Sequence, residues 1–370
     1  MKILSPKQLI LILIVSLLIV NCNKPKINSK NNYDIDATTV KIIKNSKSFS
    51  ELFSLTKTIK LETKEDCLVS HFSQIFELKE NKNLIIFDHD RDEVFAFDST
   101  GKFIKKIGRK GGGPDEFSDL KSGYCSNNNI YIGDLNKLIV FDSNGNYIRY
   151  YNLLNNDKLF LLHKFFVQDN ILVAYQSYPG NDDVLVTIYS LSEEKIISEF
   201  GKGENNYSFK TYLLTQIDQN NYLFSSAYSS KIKQVNTNNF TEMEFATLSN
   251  AIKLPESFRK LKNPDDQIMW LINHREQSEN FKPFVDINKI DDFIFVEQYV
   301  PSKGNVFSIF DLNGTFLNTL NDFSFSADFK NLNFFDKQIR YVVSDGLIVY
   351  GFQDEQDLVK NPTLFFYKLK

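Results

Sequence analysis

Short apolar runs broken by turn residues recur along most of the chain, and two of them restate one another. Leu84-Ile-Ile-Phe-Asp88 and Val94-Phe-Ala-Phe-Asp98 reappear as Ile130-Tyr-Ile-Gly-Asp134 and Leu138-Ile-Val-Phe-Asp142, 46 and then 44 residues further on. The second member of each pair runs into a matching turn, Ser99-Thr-Gly101-Lys-Phe-Ile104 and Ser143-Asn-Gly145-Asn-Tyr-Ile148. Strand, turn, strand, turn, strand is therefore the unit, and a repeat of this length made of short β-runs predicts propeller blades.

The same rhythm predicts blades over about 72–107, 120–153, 165–200, 212–248, 285–320 and 339–369, the third with central strands at 171–175 and 184–189. The last contains only three strands, while Leu52 to Leu61 alternates Thr56, Thr58 and Lys60 with apolar residues and stands alone before the first blade. Pairing that orphan with Leu364-Phe-Phe-Tyr-Lys-Leu369 completes the last sheet and removes two exposed edges. The fold class predicted is all-β: a six-bladed β-propeller of four-stranded antiparallel blades, closed through its two termini. Its one expected helical segment lies in an insertion at about 249–283. There Asn263 would cap, Pro264 would open, and Asp265 and Asp266 would fill the first turn ahead of Ile268, Met269, Leu271 and Ile272.

Composition agrees with strands, since 34 Phe and 17 Tyr dominate the apolar content while Trp occurs once. With 43 basic and 46 acidic residues, net charge -3, the chain has no positive field for a nucleic acid backbone, and none is expected as a partner. Lys2 and Lys7 precede an apolar run from Leu9 to Val20, too short to span a bilayer as a helix but right for a signal-peptide core. Residues 1–21 are read as a lipoprotein signal peptide ending at Ile19-Val20-Asn21-Cys22, which resembles a bacterial lipobox, although Asn21 departs from its usual small residue. Cys22 would then be lipidated. Residues 22–50, rich in Asn, Lys and Ser, are read as a flexible tether, and 51–370 as the propeller. No acidic run follows Cys22, so the position expected is the outer membrane facing the periplasm.

In Asp98-x-x-Gly101, Asp142-x-x-Gly145 and Asp311-x-x-Gly314, Asp can cap a tight turn while Gly supplies its positive φ. These turns, with Ile107-Gly-Arg-Lys-Gly-Gly-Gly-Pro-Asp-Glu-Phe117 between blades one and two, resemble those of the six-bladed β-propeller lipoproteins of Bacteroidota, relatives of NHL-repeat propellers. The resemblance implies the fold and an envelope location but no established reaction.

Within a four-stranded blade, the turn between the two middle strands and the connection to the next blade emerge on one face. That face is the expected binding face. Candidate ligand-binding residues on it are Arg91, Arg109, Trp270 and His274, the last two presented by the insertion if it acts as a lid, the alternative being that its apolar face simply plugs the propeller rim. Asp88, Asp90 and Asp92 have alternate-residue spacing but lack the Gly and the Glu that a calcium loop needs later, so they are weak metal candidates beside the reading as a solvated turn. Arg109-Lys-Gly-Gly-Gly-Pro114 could cradle an anion, but more simply forms a tight connection in which Glu116 pairs with Arg109. His71, His89, His163 and His274 show no zinc spacing, no nucleophile elbow occurs, and no cofactor is implied. Cys67 and Cys125 are read as two separate buried thiols. The function expected is a lipid-anchored envelope module that binds a glycan, peptide or envelope protein. A propeller enzyme of the lactonase, lyase or glycan-hydrolase kind is the alternative.

Overall fold

The structure is a computed structural model, described for residues 36–370 except 71–73, 127, 136, 154–161, 177–183, 202–211, 227–228, 249–254, 262–265, 267–268, 271–272, 275–283, 301–303, 321–340, 344–345 and 352–360. The signal segment, Cys22, His71 and the expected cap Asn263-Pro264-Asp265 lie outside the described residues. Among those described, no helix is long and apolar enough to cross a membrane.

The chain forms a propeller of four-stranded antiparallel blades. Six such sheets occur among the described residues, each meandering from an innermost to an outermost strand. Sheet one is Gln74–Glu77, Leu84–Asp88, Glu93–Phe97 and Phe103–Lys106. Sheets two to five follow in the same order, beginning at Ser122–Ser126, Lys164–Gln168, Leu214–Gln216 and Phe284–Ile290. Sheet six begins at Tyr341–Val343, continues through Gly346–Gly351 and Thr363–Leu369, and takes Phe53–Lys60 as its outermost strand. The innermost strands touch in a cycle, each meeting the next and the sixth meeting the first. Apolar clusters fill the wedges between neighbouring sheets. Ile348, Leu364 and Phe366 of sheet six pack on Ile75, Ile86, Phe95 and Phe97 of sheet one, and Ile85, Phe87 and Ala96 pack on Ile130, Ile132 and Phe141 of sheet two. Large aromatic side chains suit these wedges because each covers much of the facing sheet at little entropy cost.

The closing strand pairs as the alternation predicted, antiparallel from Phe53 opposite Leu369 to Lys60 opposite Thr363, with a bulge between Leu55 and Lys57. Asn361 reinforces the join just beyond it. Its buried side-chain amide donates to the carbonyls of Glu62 and Cys67, both at 2.6 Å, and accepts from the backbone of Val69 at 2.7 Å. The Asp-x-x-Gly turns also form as read. Asp98, Asp142 and Asp311 each accept from backbone amides two and four residues on, and Gly101, Gly145 and Gly314 take φ of +90, +71 and +81. Cys67 and Cys125 are separate free thiols.

Residues 37–52 correct the expectation of a tether reaching to residue 50. They form helix α1 (Ala37–Asn45), capped by Asp36, and a short turn α2 (Phe49–Leu52). Ile43, Phe49 and Leu52 are buried against Phe293, Phe307 and Leu320 of sheet five and Phe365 of sheet six. The polar composition of this stretch masked a few apolar residues that suffice once a sheet edge is there to receive them.

Removing Phe53–Lys60 leaves the last sheet with an open edge, so the truncated chain is expected to aggregate or to melt far below the parent. An unchanged melting curve would contradict closure. Replacing Asn361 by Ala strands two buried carbonyls and one buried N–H, and should cost about 3 kcal/mol in denaturant unfolding.

Candidate binding site

The face expected to bind is built on stapled carboxylates. Asp88, at the end of the second strand of sheet one, is fully buried and accepts from the Ser70 amide at 2.6 Å and hydroxyl at 2.9 Å, and from the amides of Asp90 and Arg91. Asp134 holds the repeat-equivalent position in sheet two. It accepts from the Ser118 amide at 3.0 Å and hydroxyl at 2.9 Å, and from the amides of Asp119 and Leu135. Each Asp ties a turn to the chain entering its blade. Asp92, at φ +52, points elsewhere, accepting from Leu120 N at 3.1 Å and Lys110 Nζ at 2.5 Å. Asp88, Asp90 and Asp92 therefore do not converge as a calcium loop would require. Among the described residues no group of three His, Cys, Asp or Glu is placed to hold a metal ion.

The glycine-rich connection does cradle an anion, and the anion is its own Glu116. That carboxylate accepts from Gly113 N at 2.8 Å and from Arg109 Nε at 2.6 Å. A Cβ on Gly111 would stand 2.1 Å from it, so only glycine admits the wrap. The Gly113 amide, then Arg109, hold the Glu116 carboxyl below its usual range against the opposing effect of desolvation. Arg109 stays 73% exposed but charge-compensated, and Arg91 is likewise paired with Glu93 at 3.0 Å.

Around the axis, polar ties join innermost strands of sheets that are not neighbours. Lys164 of sheet three meets Asp286 of sheet five at 2.9 Å, and Tyr124 of sheet two donates to Gln216 of sheet four at 3.2 Å, which in turn donates to Tyr222. Phe76 and Phe166 pack edge-on against the Tyr124 ring at 6.0 and 5.2 Å. Burial pushes the Tyr124 hydroxyl up to about 12. These groups cross the shaft and plug it.

At the entry to the innermost strands, on the face of the blade-to-blade connections, His163 stacks flat on Tyr212, with ring centroids 4.7 Å apart and 5° between planes. Lys121 lies close enough to act on His163 and pairs with Asp119 at 2.5 Å. Burial, then Lys121, opposed by Asp119, pushes the imidazole down to about 4. His163, Tyr212, Lys121, Lys164 and Asp286 are all half-buried. Sequence reading passed over them because it sought motif spacing. The available signal was position, since Lys121 and His163 each immediately precede an innermost strand.

Of the insertion, helix α3 (Glu256–Arg259) buries Phe258. Trp270 is half-buried, stacked on His274 at 4.2 Å and 9°, with Phe258 edge-on at 5.3 Å. Both the amide and Nδ1 of His274 lie 2.9 Å from the Trp270 carbonyl. The two candidates thus form one aromatic unit. The topology places it on the face that carries Arg91 and Arg109.

Asp134 to Ala should cost about 3 kcal/mol, because three amides and a hydroxyl at a blade junction lose their acceptor. For His163 the folded chain keeps a neutral ring down to about pH 4, whereas the unfolded chain protonates near 6.5. The unfolded state therefore binds the additional proton between those values. Stability should be full above about 6.5 and fall as pH drops towards 4, with a shallower fall in His163→Gln measured by urea unfolding at each pH.

No functionally curated protein matches the sequence. Among solved structures, a candidate exported protein from Bacteroides fragilis NCTC 9343 superposes with TM-score 0.63 at 18% identity, covering 87% of this chain and 97% of its own. A member of the DUF4221 family from Bacteroides vulgatus ATCC 8482 superposes with TM-score 0.57 at 12% identity, covering 86% and 98%. At such identities the likeness is one of fold. Residues 33–361 match the family described as domain of unknown function DUF4934, and the chain belongs to that family.

Proposed function

We propose that this protein is a lipid-anchored envelope propeller that binds a ligand in the recess over its plugged shaft. In this reading the six sheets make one six-bladed ring, an arrangement supported by the cycle of contacts among the innermost strands. Anchoring rests on the apolar run that ends at Cys22, and the name of the B. fragilis protein is in line with export.

The observation that carries the binding role is the half-buried set of His163, Tyr212, Lys121, Lys164 and Asp286 above a shaft closed by Tyr124, Gln216 and the aromatic plug. Half-buried polar groups around an aromatic stack hold a ligand rather than fill a core. Both lysines are already balanced by carboxylates, so the recess favours a neutral ligand that offers donors and acceptors together, as a glycan does. Trp270 and His274 lie in the insertion on the same face and serve as a second aromatic contact, with Arg91 and Arg109 at its margin.

Titrating neutral glycans against the intact protein should perturb the fluorescence of the single Trp270, and Tyr212→Ala should weaken binding at least tenfold without lowering the melting temperature by more than a few degrees. Undiminished affinity in Tyr212→Ala would remove the recess as the site. Cys22→Ser should release the protein from the membrane fraction and abolish acyl labelling, whereas retention would mean that the segment 9–20 stays as an uncleaved anchor.

A further inference from the structure

Each blade ends in an outermost strand whose free edge could pair with another chain; a bulge interrupts all six, and five of them are further guarded by paired charges or a cover. Phe103–Lys106 carries Lys105 and Lys106, Lys195–Phe200 carries Lys195 and Glu199, and Thr241–Thr247 carries Glu242 and Glu244. Phe53–Lys60 carries Lys57, Lys60 and a bulge. Phe316–Leu320 bears no charge but is covered, since Asn318 of that strand donates to the carbonyls of Ile43 and Ser46 at the end of α1. Charges, bulges and covering elements are the usual protections of a sheet edge.

Tyr147–Asn152, the outermost strand of sheet two, shares the bulge, at Ile148, but bears only one charge and an apolar face. Its Tyr147, Ile148 and Tyr150 are 40, 48 and 46% exposed, and among the described residues no strand pairs with its outer side. Its single charge, Arg149, lies over the Tyr151 ring at 4.9 Å and donates to the Tyr151 hydroxyl at 3.1 Å. The surroundings are basic. Lys137 Nζ stands over the Tyr150 ring at 5.7 Å, and Lys105 Nζ reaches the Gly145 carbonyl at 3.1 Å at the turn that begins the strand. Asp142 is the nearby carboxylate, and it is occupied in capping that turn.

We infer that Tyr147–Asn152 is a docking strand for an extended acidic segment of a partner protein, which adds to sheet two as a fifth strand. Backbone hydrogen bonds along the edge would supply affinity, Tyr and Ile side chains the apolar contact, and Arg149, Lys105 and Lys137 the preference for Glu or Asp in the segment. A second copy fits less well. Pairing the strand with itself about a two-fold axis would bring both Arg149 side chains and their basic surroundings together, and a six-residue strand pair buries far less than the roughly 1,600 Å² of a standard interface. This surface is separate from the axial recess and stands or falls independently of it.

The test uses the intact protein with a synthetic peptide of alternating Val and Glu, and the matching Val and Lys peptide as control. Hydrogen exchange should show peptide-dependent protection at amides within 147–152. Affinity for the acidic peptide should fall at least tenfold in the doubly substituted Ile148→Glu, Tyr150→Glu protein, whose exposed positions leave the fold intact, as an unchanged melting curve would verify. Higher salt should weaken binding. Equal binding of the Val and Lys peptide, protection elsewhere with none at the strand, or concentration-dependent dimerisation abolished by the same double substitution would each overturn the inference.

Discussion

The pairing of Phe53–Lys60 with Thr363–Leu369 is the constraint on which the rest depends. Each sheet packs its faces on its two neighbours, so a ring lacking one outer strand leaves an unpaired edge and loosens two wedges together. The pairing joins residues from opposite ends of the chain, so it forms only after the intervening sheets have brought those ends together, and nothing local supports it. Asn361 meets this difficulty by binding Glu62, Cys67 and Val69, which fixes the register of the join from outside the ladder. Helix α1 and turn α2 extend the same device, burying Ile43, Phe49 and Leu52 where sheets five and six meet.

Much of the charge on the connection face is spent within the fold. Asp88 and Asp134 staple turns, Asp92 holds Lys110 and the Leu120 amide, and Glu116 fills the glycine-rich cradle. A buried or half-buried carboxylate is tolerable only when such donors surround it. Residues that look like ligand groups in a one-dimensional pattern are thus consumed by the architecture.

Those groups share a cause. Innermost strands converge on an axis too narrow for open solvent, so their side chains meet across it in pairs that satisfy one another, Lys164 with Asp286 and Tyr124 with Gln216. At the strand entries convergence relaxes, and half-buried groups such as His163 and Tyr212 stack on one another. On the outer rim the opposite holds. Strands diverge, edges are free, and each is charged, bulged or covered, the aromatic edge of sheet two by a bulge and Arg149 alone.

Period-two alternation and Asp-x-x-Gly turns made the sheets legible before any coordinates, because strand patterning and turn chemistry are local properties that short windows record. The orphan strand was legible too, as a shortfall that only one segment could fill. The helical character of residues 37–52 was not, because its few apolar residues are persuasive only against the sheet edge that receives them. The pairing of Glu116 with Arg109 was legible, whereas the Gly113 amide that completes the cradle was not, for a glycine-rich loop reads the same whether its anion comes from outside or from three residues along. The stacking of His163 on Tyr212 was decided by tertiary structure alone. His163 owes its place to the convergence of separate strands, and a contact between residues far apart in the chain leaves no periodic trace in any one stretch of it.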